Sequence, residues 1–178
     1  MESCAAKRYA FIVVVKIYTR IFFEVAVGDG AERPCIGRIY SCYRQHCVKY
    51  ATAWPMLQEF IASSNSEKCF IVLHTYGSHF NYRERYPENF RQFLPDDSDN
   101  ASRHNREKLI NAYDNSIVAT DALIDETITT LEQLPDSVSA AMLFVPDHGE
   151  DIFDDGRDRF LHASPSPTYW QIHVPIGR

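Results

Sequence analysis

Apolar positions along this chain fall into short unbroken runs and one long helical stripe. The run Tyr9-Ala-Phe-Ile-Val-Val-Val15 is short and β-branched, which predicts a strand buried on both faces. Ile21 to Val27 predicts a second strand, and Gly28-Asp-Gly30 a turn after it. Trp54-Pro55 opens a predicted helix through Ala62, with Trp54, Leu57, Phe60 and Ile61 on one face. Ser63 to Ser66 ends it. Cys69-Phe-Ile-Val-Leu-His74 reads as another buried strand. Residues 76–100 then read as a long loop rich in aromatics, Arg, Pro and Asp, and such loops in a domain usually carry function. From Asn105 to Leu134, Leu109, Ile110, Tyr113, Ile117, Thr120, Ile124, Ile128 and Leu131 recur at helical spacing, predicting one helix with that stripe in the core. Pro135 stops it. Ala140-Ala-Met-Leu-Phe-Val145 predicts a further buried strand, followed by Asp147-His148-Gly149-Glu150. This alternation of strands and helices implies an α/β fold with a largely parallel sheet.

Composition narrows the function classes. Of 178 residues, 45% are apolar and 24% charged, which is ordinary for one globular domain. The formal net charge of -6 argues against a general nucleic-acid binder, which needs a basic face. No apolar run reaches the roughly 20 residues of a membrane span; the stretch from Tyr9 to Val27 is broken by Lys16, Arg20 and Glu24. The chain therefore reads as soluble, or as a soluble piece of something larger. Five cysteines, three of them at Cys35, Cys42 and Cys47, make no disulfide scaffold, although bridges among those three stay open in an oxidising compartment. They contain no C-x-x-C pair, so a zinc ribbon is disfavoured.

Chemistry gathers in the second half. In open α/β sheets, sites lie beyond the carboxyl ends of the strands. There the chain places His74 and His79 after one predicted strand, and Asp147, His148 and Glu150 after another, with His162 further on. A carboxylate and a neutral imidazole both suit Zn²⁺, and Gly149 permits the sharp turn that lets Asp147 and His148 converge on one ion. The plainer reading is a strand-end Asp capping the next segment beside a surface His. His79 and His162 suit a phosphoryl group, because an imidazolium donates to its oxygens and can protonate a leaving group. Each also reads as an ordinary loop His, and His74 as a buried strand-end His. Arg83 and Arg85 with Tyr82 and Tyr86 can line an anionic head-group site or simply pack their own loop. The acidic run Asp151, Asp154, Asp155 and Asp158 reads as a solvated loop without EF-hand spacing.

These residues resemble a known family. Leu73-His74-Thr-Tyr-Gly77-Ser-His79 followed by Tyr86-Pro87 is similar to the LH-x-x-G-x-H segment of phosphoethanolamine transferases, members of the sulfatase and alkaline-phosphatase-like superfamily. Asn111-Ala-Tyr-Asp-Asn115 with Thr120-Asp121 resembles that family's NAYDN helix. Asp147-His148-Gly149-Glu150 resembles its DHGE metal motif, Leu161-His162-Ala163 with Pro165 its LHG-x-P segment, and His173-Val174-Pro175 its HVP. The matches run over residues 54–178, with 1–50 divergent, inside one incomplete sulfatase-like domain spanning 1–178. The resemblance implies an alkaline-phosphatase-like fold with a mostly parallel central sheet flanked by helices. It implies Asp147 and His148 as Zn²⁺ ligands, and His79 and His162 as catalytic and substrate-binding groups, with Arg83 beside them. The implied reaction moves phosphoethanolamine from a phospholipid to lipid A or another glycan through a zinc-activated Thr. It takes place at the periplasmic face of a bacterial inner membrane, with anchorage through a segment absent from this chain. Ile17 stands where the family's ligating Glu is expected, and no nucleophilic Thr segment is recognisable. The chain alone is therefore expected to be incomplete or inactive. The alternatives are a sulfuric or phosphoric ester hydrolase of the same superfamily, and a non-catalytic module that binds an anionic head group.

Overall fold

In the computed structural model, residues 8–16, 22–26, 37–40, 59, 68–75, 77–97, 100–162 and 165–177 are described. The expected turn at Gly28–Gly30, the cysteines before Cys69, Ile17, and all of the 54–62 helix but Glu59 lie outside them. Strands β1 (Arg8–Lys16), β2 (Phe22–Ala26), β3 (Gly37–Tyr40), β4 (Lys68–Thr75) and β5 (Val138–Pro146) form a sheet in the order β3-β2-β4-β1-β5. The three strands read from unbroken apolar runs, β4, β1 and β5, pair in parallel, as strands joined by helical crossovers do. β2 and β3 add an antiparallel edge on the β4 side.

The parallel register decides where the chemistry lies. Lys16 pairs with Thr75 on one side and with Pro146 on the other. All three strands therefore end level with one another. The loop carrying His79 and the turn carrying Asp147 and His148 leave the sheet at the same rim, the position where open α/β sheets hold ligands.

Two sequence expectations are corrected by burial. β5 is the last strand of the sheet among the described residues: Ser139, Ala140 and Ala141 are exposed and Met142 to Val145 half-buried, because besides β1 it meets there only a single bridge, between Phe144 and Gly177. The helix α1 (Arg106–Glu132) has the expected extent, and of the expected stripe Leu109 is buried with Ile110 and Tyr113 half-buried beside it, but the rest of the buried face differs. Its buried face is Leu109, Ala112, Asn115, Ser116, Ala119, Leu123, Thr127 and Thr130, while Ile117 and Ile128 are 45% and 43% exposed. Small residues on the inner face let the helix approach its neighbours closely. The hydroxyls there bond back to the helix, Thr127 to the Leu123 carbonyl at 2.8 Å and Ser116 to that of Tyr113 at 2.6 Å.

The loop after β4 is built rather than loose. It contains two 3₁₀ turns, Tyr82–Arg85 and Glu88–Phe90. Asn115 of α1, fully buried, holds it: its Oδ1 accepts from the backbone N–H of Gln92 (2.8 Å) and Phe93 (2.9 Å). Its Nδ2 donates to the Phe93 carbonyl (2.9 Å) and to Asp96 Oδ2 (3.1 Å). The buried Asp96 carboxylate also accepts from the Tyr86 hydroxyl (2.8 Å) and from Arg91 Nε. Burial alone would raise the pKa of Asp96, but Arg91 and Tyr86 outweigh it and hold the carboxyl below its ordinary value. In turn, burial and the Asp96 carboxylate push Tyr86 up to about 12 against an opposing bond from Asn115.

Beyond β5, the chain turns back in a hairpin of β6 (Asp151–Ile152) and β7 (Phe160–Leu161), then a short helix α2 (Tyr169–Ile172). The hairpin packs on the start of α1 and on the loop through one apolar cluster: Tyr82, Leu109, Ala112, Ile152 and Phe153, with Phe80, Tyr113, Phe160 and Leu161 against it. Phe80 meets both Tyr82 (5.4 Å) and Phe160 (5.1 Å) edge-on, the arrangement aromatic quadrupoles favour. Asp151, expected in a solvated loop, is fully buried, because it is the first rung of this hairpin. Two other acids of the run anchor the hairpin tip near the helix start, Asp154 pairing with Arg106 at 2.7 Å and Asp158 with Arg103 at 2.7 Å, while Asp155 pairs with Arg157 within the tip.

Candidate metal centre

The hairpin register assembles the site. Asp151 pairs with Leu161 and Ile152 with Phe160 in antiparallel register, so the next rung out is Glu150 opposite His162. The two side chains meet there: His162 Nδ1 lies 3.3 Å from each Glu150 oxygen, and the Glu150 carboxylate is buried. One turn earlier stands His148, whose ring stacks on that of His162 with centroids 3.7 Å apart. His148 Nδ1 lies 2.9 Å from the Gly149 carbonyl. A carbonyl only accepts, so in the neutral ring Nδ1 carries the proton and Nε2 keeps its lone pair. Fixing a ligand imidazole through its other nitrogen in this way is the usual outer-shell arrangement of metal sites.

One ligand atom from each of His148, Glu150 and His162 lies within 4.8 Å of the other two. Two nitrogens and a carboxylate oxygen form a donor set that suits Zn²⁺, with one position left open, as in catalytic zinc sites. Ligands bound at about 2.1 Å in a tetrahedron stand roughly 3.4 Å apart, so closure around an ion asks for a contraction of at most about 1.4 Å. Asp147 borders the group: its Oδ2 is 3.7 Å from His148 Nε2, and its Oδ1 accepts from the His148 backbone N–H at 3.0 Å. Of the residues singled out in the sequence, His148 and His162 are thus brought together, with Asp147 at their edge. Glu150 is the member that sequence reasoning left without a role. The Asp155-Gly156 dipeptide between the apolar pairs Ile152-Phe153 and Phe160-Leu161 signals a hairpin, but the rung that puts Glu150 across from His162 is fixed by the strand pairing and not by the turn.

Gly149 is required where it is. Its N–H donates to the Gln171 carbonyl at 2.9 Å, and a Cβ there would run into the Trp170 carbonyl. Glu150 also stands over the aromatic cluster. Burial first and the Glu150 charge second raise Tyr82 and push Tyr113 up to about 12.

His79 leaves the same rim, next to Phe80, whose ring rests on Phe160 two positions before His162. Its Nδ1 lies 2.5 Å from the Phe80 carbonyl, and Arg85 Nε donates to the His79 carbonyl at 2.7 Å. Arg83 is engaged within its own loop. It pairs with Glu88, donates to the Tyr86 carbonyl at 3.2 Å and lies over the Tyr86 ring at 5.1 Å.

The sulfatase family profile matches residues 30–176. The chain belongs to the sulfatase family. Among its curated relatives, the phosphatidylethanolamine transferase Mcr-1 of Escherichia coli is 36% identical over 112 residues, 62% of this chain and 20% of that one. The Kdo(2)-lipid A phosphoethanolamine 7''-transferase of E. coli strain K12 is 36% identical over 109 residues, 61% and 18% of the two chains. The chain therefore spans about a fifth of the length of these relatives. The soluble domain of lipooligosaccharide phosphoethanolamine transferase A from Neisseria meningitidis superposes with a TM-score of 0.74 at 19% identity, covering 97% of this chain and 76% of that domain. The periplasmic domain of EptC from Campylobacter jejuni gives 0.65 at 26%, covering 96% and 51%. The expected alkaline-phosphatase-like sulfatase fold and the resemblance to phosphoethanolamine transferases both hold.

Proposed function

We propose that the chain forms part of the catalytic domain of a phosphoethanolamine transferase, facing the periplasm, that moves phosphoethanolamine from a phospholipid to lipid A or a related glycan. The observation that carries this reading is the His148–Glu150–His162 cluster at the carboxyl rim of a sulfatase-family sheet. In this reading those three residues, with Asp147 beside them, hold Zn²⁺. When bound, the ion would supply positive charge to the phosphoryl oxygens and help ionise an attacking hydroxyl. Glu150 orients His162 through Nδ1, and Gly149 orients His148 in the same way. His162, one of the three that would hold the ion, would also stand beside the space a phosphoryl oxygen takes. His79, leaving the same rim, is the second imidazole for that group, and it can hand a proton to the departing oxygen. No threonine of this chain is assigned as nucleophile, and Ile17 occupies the position expected for a further carboxylate ligand. We therefore expect little transfer by the chain alone.

The test is a zinc titration of the purified 178-residue chain beside a transfer assay. The assay uses vesicles of head-group-labelled phosphatidylethanolamine with lipid A as acceptor. One ion per chain, lost in His148→Ala and weakened in Glu150→Gln, is the expected result, with label transfer no higher than in His148→Ala. A chain that takes up no zinc overturns the metal reading. Robust transfer by the wild-type chain overturns the expected deficiency.

A further inference from the structure

All three candidate ligands sit on two segments, 148–150 and 162, on opposite sides of one hairpin whose short ladder has two rungs among the described residues, continued by a bond from the Phe153 N–H to the Arg159 carbonyl. A third segment ties them. Gln171, on α2 and 3% exposed, makes its bonds with both. Its backbone carbonyl accepts from Gly149 N–H, between His148 and Glu150, at 2.9 Å. Its side-chain Nε2 donates to the Leu161 carbonyl, one residue before His162, at 2.6 Å. Its Oε1 accepts from the Thr168 N–H at 2.8 Å, which fixes the amide and leaves Nε2 for Leu161. Leu161 has φ of 69°, a left-handed conformation that costs a bulky residue about 1 kcal/mol or more and persists only where its surroundings enforce it. The Gln171 bond falls on the peptide that carries this strain.

We propose that Gln171 is the positioning residue of the metal centre, a single buried amide that locks the His162 segment to the His148–Glu150 turn at the spacing an ion needs. This rests on the metal reading above. The backbone bond to Gly149 does not run through the side chain, but the amide also caps α2 at the Thr168 N–H, so two variants at 171 are needed to separate that cap from the Leu161 tie. Gln171→Met deletes the amide. Gln171→Glu keeps the acceptor for Thr168 and, when ionised, replaces the donor to Leu161 by a carboxylate oxygen that repels the Leu161 carbonyl. Trp170→Ala, at an exposed position of the same short helix, is the control for disturbance of that helix.

Two measurements on the 178-residue chain test it. In the metal-free chain, an NMR contact between the ring protons of His148 and His162 is expected in wild type and Trp170→Ala, and is expected to be lost in both Gln171 variants. With Co²⁺ as probe, read by its visible absorption, Gln171→Met binds 10–100-fold more weakly, the range typical of lost outer-shell support, and Trp170→Ala binds as wild type. An unchanged ring contact in the Gln171 variants, or Co²⁺ affinity in Gln171→Met within twofold of wild type, overturns the proposal, as does a wild-type chain without the ring contact. If wild type binds no Co²⁺ while the ring contact behaves as expected, the metal reading fails and the positioning role stands.

Discussion

Tyr82 shows how one atom can work against the structure around it. Its ring is fully buried among Phe80, Tyr113 and Phe160, yet its hydroxyl has no hydrogen-bond partner among the described residues. A hydroxyl buried without a partner costs roughly 1–3 kcal/mol. Tyr82→Phe keeps the ring contacts and removes that oxygen, so the melting temperature should rise, by about 2–4 °C for each kcal/mol recovered. A fall in the calorimetric midpoint would show that the hydroxyl has a partner in solution. Single residues were also where the sequence was most and least informative. His148 and His162 could be picked out because imidazoles beyond strand ends are chemically conspicuous. Glu150 could not, since one acid among many gains its meaning only from the rung it occupies opposite His162. From sequence Arg83 was open between a head-group cation and packing of its own loop, and the loop folds Glu88 and the Tyr86 ring onto it.

Among elements, the loop over 77–97 and helix α1 act as a unit because Asn115 and Asp96 lie between them. Asn115→Ala strands two backbone N–H groups, one carbonyl and part of the Asp96 carboxylate. Each buried unpaired group costs about 1–3 kcal/mol, with losses that overlap in one network. The variant should lose about 3 kcal/mol of stability on chemical denaturation, and limited proteolysis should cut first within the loop. The pH dependence has a definite sign. Because the folded carboxyl of Asp96 titrates below its unfolded value near 3.9, its contribution is fully present above about pH 4 and fades as pH falls through the folded value. Asp96→Asn should therefore be less stable at neutral pH and should lose less on acidification; equal acid slopes for the two proteins would rule this out. Helix extent was legible in sequence from periodicity and the Pro135 stop. Most of the buried stripe was not. Periodicity finds a face of isoleucines, but the loop and hairpin that pack here demand a close approach, and Ala112, Ser116 and Ala119 provide it.

For the molecule as a whole, the three parallel strands bring segments far apart in sequence to one rim, and this was readable from unbroken apolar runs followed by ionisable residues. The place of β5 as the last strand among the described residues was not, because apolar runs alone do not give strand order. If the rim holds zinc, folding and metal uptake are linked. An ion bound only to the folded chain adds about 2.7 kcal/mol at one hundred times its dissociation constant. The melting temperature should then rise by about 5–10 °C in zinc at that excess, and by nothing in His148→Ala. A wild-type midpoint that ignores zinc would refute the linkage.

The two-rung hairpin carries one more consequence, for how chains of this kind tolerate changes in length. Residues added between Asp154 and Asp158 enlarge only the tip and leave Glu150 across from His162. A single residue added within Asp151–Ile152 or Phe160–Leu161 shifts the frame by one and turns an imidazole to the opposite face. Among related chains, gaps should gather at the tip and spare the rungs.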